Sequence, residues 1–107
     1  MEITYPKKYY RLLDLELHNF EPWRILTIDE GVKYKDDLKE RYPNRDLLPF
    51  AVRTDCDDVA CWNLSENNQK VIIIHDFASE GWEQQREFRD FDEWFTSALN
   101  EMFSFDD

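Results

Sequence analysis

The segment Lys70-Val71-Ile72-Ile73-Ile74-His75 decides the fold of this chain. Its four consecutive β-branched residues show no alternation of apolar and polar side chains, which is typical of a strand that is buried on both faces. Such a strand lies in the interior of a sheet and requires covering elements on both sides of it. We therefore expect a central strand at residues 70–75 and the other elements arranged around it.

Four more segments have the composition of strands, at residues 23–28, 48–53, 59–64 and 82–88. In the last of these, Trp82, Gln84, Arg86 and Phe88 alternate with Glu83, Gln85 and Glu87. This alternation predicts one face toward the core and one face in water. The short connections between the late strands favour hairpins, and hence a mainly antiparallel sheet.

Three helices are predicted around this sheet. Pro6 begins a helix that runs to about residue 15, and Asp29 is the predicted N-cap of a helix over residues 30–42 that Pro43 ends. The second helix has a thin apolar stripe, which predicts a position on the surface. The last helix has apolar residues along one face and a possible capping box formed by Asp90 and Glu93; the apolar residues are Phe91, Trp94, Phe95, Ala98, Leu99 and Met102.

These elements predict an α+β fold: a mainly antiparallel sheet of about five strands, packed by an N-terminal helix and a C-terminal amphipathic helix. The 107 residues contain no repeat, linker or low-complexity tract, so residues 1–107 are expected to form one domain.

The charge is strongly acidic and unevenly distributed. The chain has 13 basic and 24 acidic residues, a formal net charge of −11, and residues 76–107 contain ten acidic residues and two arginines. Such a field repels nucleic acid and anionic lipid and favours a basic partner, although an acidic surface also serves solubility alone. With no signal-peptide-like or membrane-spanning apolar run, we expect a cytoplasmic protein that binds neither membranes nor nucleic acid.

The sequence offers no positive evidence for an enzyme or a cofactor. Two glycines, Gly31 and Gly81, are too few for a phosphate-binding loop, and two cysteines, Cys56 and Cys61, lack the second ligand pair of a zinc site. The acidic turn after residue 54 lacks the ligands and glycine of a calcium loop. His75-Asp76 is the one pair whose residue types suggest catalysis. Because nothing else in the sequence supports a reaction, we expect no catalytic, cofactor or metal site.

Protein contacts are the remaining interpretation. The residues from the end of the central strand through the water-facing side of residues 82–88 combine acidic side chains with a tryptophan, a residue enriched at binding hot spots. The acidic turn after residue 54 is the second candidate. The predicted contact residues are Asp76, Glu80, Trp82, Glu83, Gln85 and Glu87, with Asp55, Asp57 and Asp58 in the acidic turn.

Several motifs occur in an order that resembles the SUKH superfamily. Tyr5-Pro6-Lys7-Lys8-Tyr9-Tyr10-Arg11-Leu12-Leu13 is similar to the first helix of that superfamily, and Leu47-Leu48-Pro49-Phe50-Ala51 to its Pro-Phe-Ala hairpin. Arg89-Asp90-Phe91-Asp92-Glu93-Trp94-Phe95 resembles its C-terminal helix. The chain departs from the pattern in a shorter N-terminal section and in Asn63, where an aspartate is usual.

The resemblance implies a SUKH-like domain that binds proteins rather than an enzyme. Many bacterial members are immunity proteins that neutralise polymorphic toxins, often nucleases, and other members, fungal cell-wall regulators among them, are interaction modules. An immunity-type protein that binds a basic toxin domain through an acidic surface is therefore the first hypothesis. The alternative is a general intracellular interaction module in signalling or assembly without a toxin partner. The oligomeric state stays open.

Overall fold

The computed structural model describes residues 5–66, 70–79 and 81–105. The helices are α1 (Lys7–Asp14), α2 (Ile28–Arg41) and α3 (Phe91–Ser104), and Leu64–Glu66 form a short 3-10 helix. The strands are β1 (Asn19–Phe20), β2 (Trp23–Ile25), β3 (Leu47–Arg53), β4 (Asp58–Asn63), β5 (Val71–His75) and β6 (Gln84–Phe88). No helix in these described segments is long and apolar enough to cross a membrane.

The six strands form one antiparallel sheet in chain order, β1 to β6. The α+β fold with a mainly antiparallel sheet is thus confirmed, with one strand more than predicted. The additional strand, β1, has only two residues, which is too short to produce a periodic pattern in the sequence.

Strand β5 lies inside the sheet, between β4 and the edge strand β6, and its residues 71–74 are at most 2% exposed. Val71 and Ile73 pack on one face with residues of α1 and α3, such as Tyr9 and Trp94. Ile72 and Ile74 pack on the other face with residues of α2 and the segment that follows it. Both faces of the predicted two-sided strand are therefore covered, by helices on opposite sides.

The start of α2 differs from the prediction. Thr27, not Asp29, is the N-cap: its hydroxyl accepts a hydrogen bond from the Glu30 backbone N–H, and the Glu30 carboxylate accepts one from the Thr27 N–H. This reciprocal pair satisfies two backbone donors at once, which a cap at Asp29 would not achieve. Strand β2 accordingly ends at Ile25. In α3, Asp90 is the N-cap as predicted, but the Glu93 carboxylate accepts from the Arg89 N–H.

Strand β6 does not show the predicted alternation between a core face and a wet face. Ile73 pairs with Arg86 and Ile74 with Gln84, so Gln85 is an extra residue in β6. This bulge changes which side chains share a face. All four residues from Gln84 to Glu87 are exposed, and the strand begins at Gln84 instead of Trp82.

Helix α2 approaches the sheet closely at Gly31, a buried residue. A Cβ atom at this position would lie 2.5 Å from the backbone carbonyl oxygen of Pro49 in β3. Because this contact is with backbone, a side chain can be accommodated only if the helix moves away from the sheet. The absence of a side chain thus sets the distance between α2 and β3.

We expect Gly31→Ala to destabilise the protein by about 1–2 kcal/mol, because overpacking outweighs the gain of about 1 kcal/mol that alanine gives inside a helix. Urea denaturation measures the change. Val32→Ala, at the neighbouring and exposed position, is the control and should change stability by no more than about 0.5 kcal/mol. A stabilised Gly31→Ala protein would contradict this packing of α2.

Candidate functional site

The loop between β5 and β6, residues 76–83, is the strongest candidate for a functional site, and we call it the β5–β6 loop. It begins with Asp76, which is 1% exposed. Arg41 donates two hydrogen bonds to this carboxylate, from Nε to Oδ1 at 2.8 Å and from Nη2 to Oδ2 at 2.7 Å. The Tyr34 hydroxyl donates a third at 2.6 Å, and the Phe77 backbone N–H a fourth at 2.8 Å. The buried carboxylate is fully compensated.

The spacing of residues in α2 explains this arrangement. Gly31, Tyr34, Leu38 and Arg41 follow one another at three- and four-residue intervals, so they share the face of the helix that lies on the sheet. Gly31 and Leu38 make the apolar contact, and Tyr34 and Arg41 reach the point where β5 ends. Helix and loop are therefore connected by side chains that are 35 and 42 positions away from Asp76.

These contacts shift the pKa values of the groups involved. Burial raises the pKa of Asp76, but the hydrogen bonds from Arg41, Tyr34 and the Phe77 N–H outweigh it and leave the pKa below its ordinary value. Burial and the neighbouring Asp76 carboxylate raise the pKa of Tyr34. The carboxylate and the phenol are thus stabilised as an anion and a neutral donor.

A second group of contacts fixes the other end of the loop. Glu83 is 3% exposed; its carboxylate accepts hydrogen bonds from Nε of Arg45 and from the Gly81 N–H, the latter at 2.7 Å. The Tyr42 hydroxyl donates to the Ala78 carbonyl oxygen at 3.1 Å. Burial raises the pKa of Glu83, but the backbone N–H groups and Arg45 lower it more, and the net pKa lies below its ordinary value.

The loop presents two aromatic side chains to solvent between these fixed ends. Phe77 is 69% exposed and Trp82 is 77% exposed. Phe77 has a φ of 66°, in the left-handed region that bulky residues rarely adopt, and the Arg41 guanidinium lies 4.5 Å from the centre of its ring. A strained, exposed aromatic residue that is held by the ion pair of a buried carboxylate indicates a contact surface rather than a packing element.

Two of the predicted contact residues are therefore placed differently from the sequence interpretation. Asp76 and Glu83 were expected to meet a partner as exposed acids, but both are buried and held by arginines. Burying either carboxylate unpaired would be costly, which is why each has a guanidinium partner. Trp82 is exposed, as a contact residue must be, whereas Glu80 lies outside the described residues.

The three acids of the acidic turn, Asp55, Asp57 and Asp58, lie at the same end of the sheet as the loop, whereas Glu87 lies toward the other end of β6. Asp57 belongs to the acidic turn between β3 and β4, and its carbonyl oxygen accepts a hydrogen bond from the Asp76 N–H at 3.0 Å. Asp58 contacts Nδ1 of His75 at 2.8 Å, and this hydrogen bond raises the pKa of His75. The structure thus brings the acidic turn next to the β5–β6 loop. The remaining predicted residues pair locally: Asp55 with Arg53, Glu87 with Lys70 at 3.8 Å, and Gln85 with the Trp82 carbonyl oxygen.

A cleft of about 430 Å³ opens beside the loop, on the face of the sheet that carries α2. It lies where α2 has ended, so that the chain after the helix, the end of β4, and residues of β5 and β6 form its walls. The lining residues are Tyr42, Asn44, Arg45, Asn63, Ser65, Ile72, Gly81, Glu83, Gln84 and Glu87. In the described segments, no group of three or more His, Cys, Asp or Glu residues has the geometry of a metal site.

Sequence reasoning missed Phe77, Arg41 and Arg45 as residues of the site. The available signal was an apolar residue, Phe77, immediately after the strand and its terminal aspartate. Arg41 and Arg45 carry no such signal in the sequence. Residues 1–45 have as many bases as acids, and no pattern distinguishes these two arginines from the other bases.

Comparison of this chain with protein-family models, curated proteins and solved structures finds no match. The resemblance to the SUKH superfamily therefore rests on the motifs in the sequence and stays a prediction.

We expect Asp76→Asn to destabilise the protein by about 3 kcal/mol, because it leaves the Arg41 guanidinium beside a neutral group. Since the folded-state pKa of Asp76 lies below the value of about 4 in the unfolded chain, its contribution is present above pH 4 and is lost as the pH falls further. The variant should therefore lose less stability than the parent below pH 4, as measured by urea denaturation across pH.

The control is Asp92→Asn. Asp92 forms an exposed ion pair with Lys8 at 3.1 Å, and its side chain is 62% exposed. Removal of such a carboxylate should cost about 1 kcal/mol or less. Equal effects of the two substitutions would mean that Asp76 does not fix the β5–β6 loop.

Proposed function

We propose that this protein is a protein-binding module of the immunity type, which binds and neutralises a basic toxin domain through the β5–β6 loop. The observation that carries the proposal is the pair of exposed aromatic residues, Phe77 and Trp82, on a loop that is fixed at both ends by a buried carboxylate paired with a partly exposed arginine. Aromatic side chains of this kind supply much of the binding energy at protein interfaces.

The fixed loop favours tight association. A flexible loop loses conformational entropy when it binds, and this loss reduces affinity. Here the contacts from α2 and from Arg45 already hold the loop ends, so the aromatic side chains are presented without that cost. The strain at Phe77 is likewise compensated before a partner arrives.

The charge of the chain supports a basic partner. Asp76 and Glu83 are neutralised by Arg41 and Arg45, so they add little attraction of their own. The net charge of −11 nevertheless produces a long-range field that accelerates the approach of a cationic domain. In this proposal, charge mainly sets the rate of association and the two aromatic residues set the lifetime of the complex.

The choice of a toxin as the partner rests on the resemblance of the motifs to immunity proteins. A nuclease domain fits the expected partner, because nucleases present basic surfaces to their anionic substrates. If the partner is instead a regulatory or structural protein, the alternative function, a general interaction module without a toxin partner, is correct.

The test is co-expression with the product of the adjacent gene. We expect the parent protein to protect the cells and to co-purify with that product. Phe77→Ala/Trp82→Ala should lose both properties, while its melting temperature falls by only about 5 °C, because loss of the Arg41–Phe77 ring contact costs about 0.5–1 kcal/mol. Loss of a buried aromatic contact at an interface costs about 2 kcal/mol or more per residue, which weakens binding by well over tenfold for the pair.

Phe103→Ala is the matched control, because Phe103 in α3 is 74% exposed and lies outside the loop. This variant should protect and bind as the parent does. Absence of both protection and a complex for the parent protein would contradict the immunity-type function. Full protection by the Phe77→Ala/Trp82→Ala variant would contradict the role of the loop.

A further inference from the structure

We propose that the cleft beside the β5–β6 loop binds an arginine side chain of the partner. The inference deepens the proposed function and depends on it only for the source of the arginine, a basic protein. The cleft adjoins the loop directly, since Gly81 and Glu83 belong to both. A partner that covers Phe77 and Trp82 therefore has access to it.

The composition of the cleft suits a long side chain with a charged end. Its volume of about 430 Å³ is within the range of small-ligand sites, about 300–1,000 Å³. Ile72 and Tyr42 provide apolar lining for an aliphatic stem. Asn44, Gln84 and Ser65 add polar groups, so a guanidinium group would find hydrogen-bond acceptors on more than one wall.

One carboxylate of the cleft is weakly engaged and accessible to a cation. Among the described lining residues, Glu83 and Glu87 are the carboxylates, and Glu83 is engaged by Arg45 and the Gly81 N–H. Glu87 is paired with Lys70 at a distance of 3.8 Å, and both side chains of this pair are more than 40% exposed. Arg45 is the lining cation, and it donates to Glu83 and to Gln84. An incoming cation would meet the Glu87 carboxylate and would have to displace the Lys70 ammonium group from it.

Arginine fits this carboxylate better than lysine does. A guanidinium group can donate two parallel hydrogen bonds to one carboxylate, whereas an ammonium group acts as a point charge. The exposed Glu87–Lys70 contact is of the kind that contributes little stability, so its replacement by a two-point contact is favourable.

The test is an NMR titration of the full chain with N-acetyl-arginine amide, with the citrulline analogue as a neutral probe of nearly the same shape. We expect saturable shifts of the Gly81, Gln84 and Glu87 amides, with a dissociation constant on the order of millimolar for so small a ligand. Citrulline should bind about tenfold more weakly, because it lacks the charge. N-acetyl-lysine amide should also bind more weakly than arginine.

Glu87→Gln should weaken arginine binding by about tenfold. Asp92→Asn is the matched control: it also removes a lysine-paired carboxylate, but from α3 on the opposite face of the sheet, and it should leave the affinity unchanged. Shifts that map outside the cleft, equal affinity for citrulline, or an unaffected Glu87→Gln variant would each overturn the inference.

The outcome is separable from that of the proposed function. Phe77→Ala/Trp82→Ala should retain arginine binding in the cleft while it loses the protein partner. A parent protein that captures its partner but does not bind arginine would support the loop as the contact surface and contradict arginine binding in the cleft. Arginine binding without a protein partner would support the cleft and contradict the immunity-type function.

Discussion

The burial of β5 on both faces is the constraint on which the rest of the structure depends. The side chains of residues 71–74 are apolar on both faces of the sheet. Helices α1 and α3 therefore cover one face, and α2 covers the other. The chain then leaves this apolar layer at Asp76, a carboxylate that is still buried. Because an unpaired buried charge is prohibitively costly, α2 must supply a guanidinium group at that point. Covering the strand and holding the loop are thus two tasks of one helix.

The loop obtains its geometry from this ion pair. The Asp76 carboxylate accepts a hydrogen bond from the Phe77 N–H, and the Arg41 guanidinium contacts the Phe77 ring. These contacts offset the strain of the positive φ angle. The result is an aromatic side chain that is held in solvent, the opposite of what the hydrophobic effect alone would produce.

Local patterns in the sequence predicted most of the fold. The helical period of residues 91–102 and the unbroken apolar run at 71–74 depend only on neighbours along the chain, and both elements are present. The N-cap of α2 was wrong by two residues because Thr27 and Asp29 are both good capping residues, and the choice depends on the reciprocal bond to Glu30. Strand β1 was missed because its two residues are too few to show a periodic pattern of apolar and polar side chains.

The site was less predictable because its contacts are distant in sequence. An acidic residue after a strand is ordinarily exposed, and the burial of Asp76 and Glu83 follows from arginines 35 and 38 positions away. The bulge at Gln85 adds to the difficulty, because the extra residue places Gln84 on the opposite face of the sheet from Arg86, where strict alternation would put both on one face. Trp82 was named as a contact residue because tryptophan is enriched at binding hot spots, although the sequence placed it at the start of a strand.

The most direct test is the backbone dynamics of the β5–β6 loop, measured by ¹⁵N relaxation together with the set of ³J couplings that jointly define the φ angle of Phe77. If α2 holds the loop, Phe77 and Trp82 should have order parameters of about 0.85, equal to those of β5. Phe77 should also have a positive φ angle in solution. Order parameters below about 0.6 in the loop, or a negative φ angle at Phe77, would contradict the claim that α2 holds an exposed aromatic contact surface.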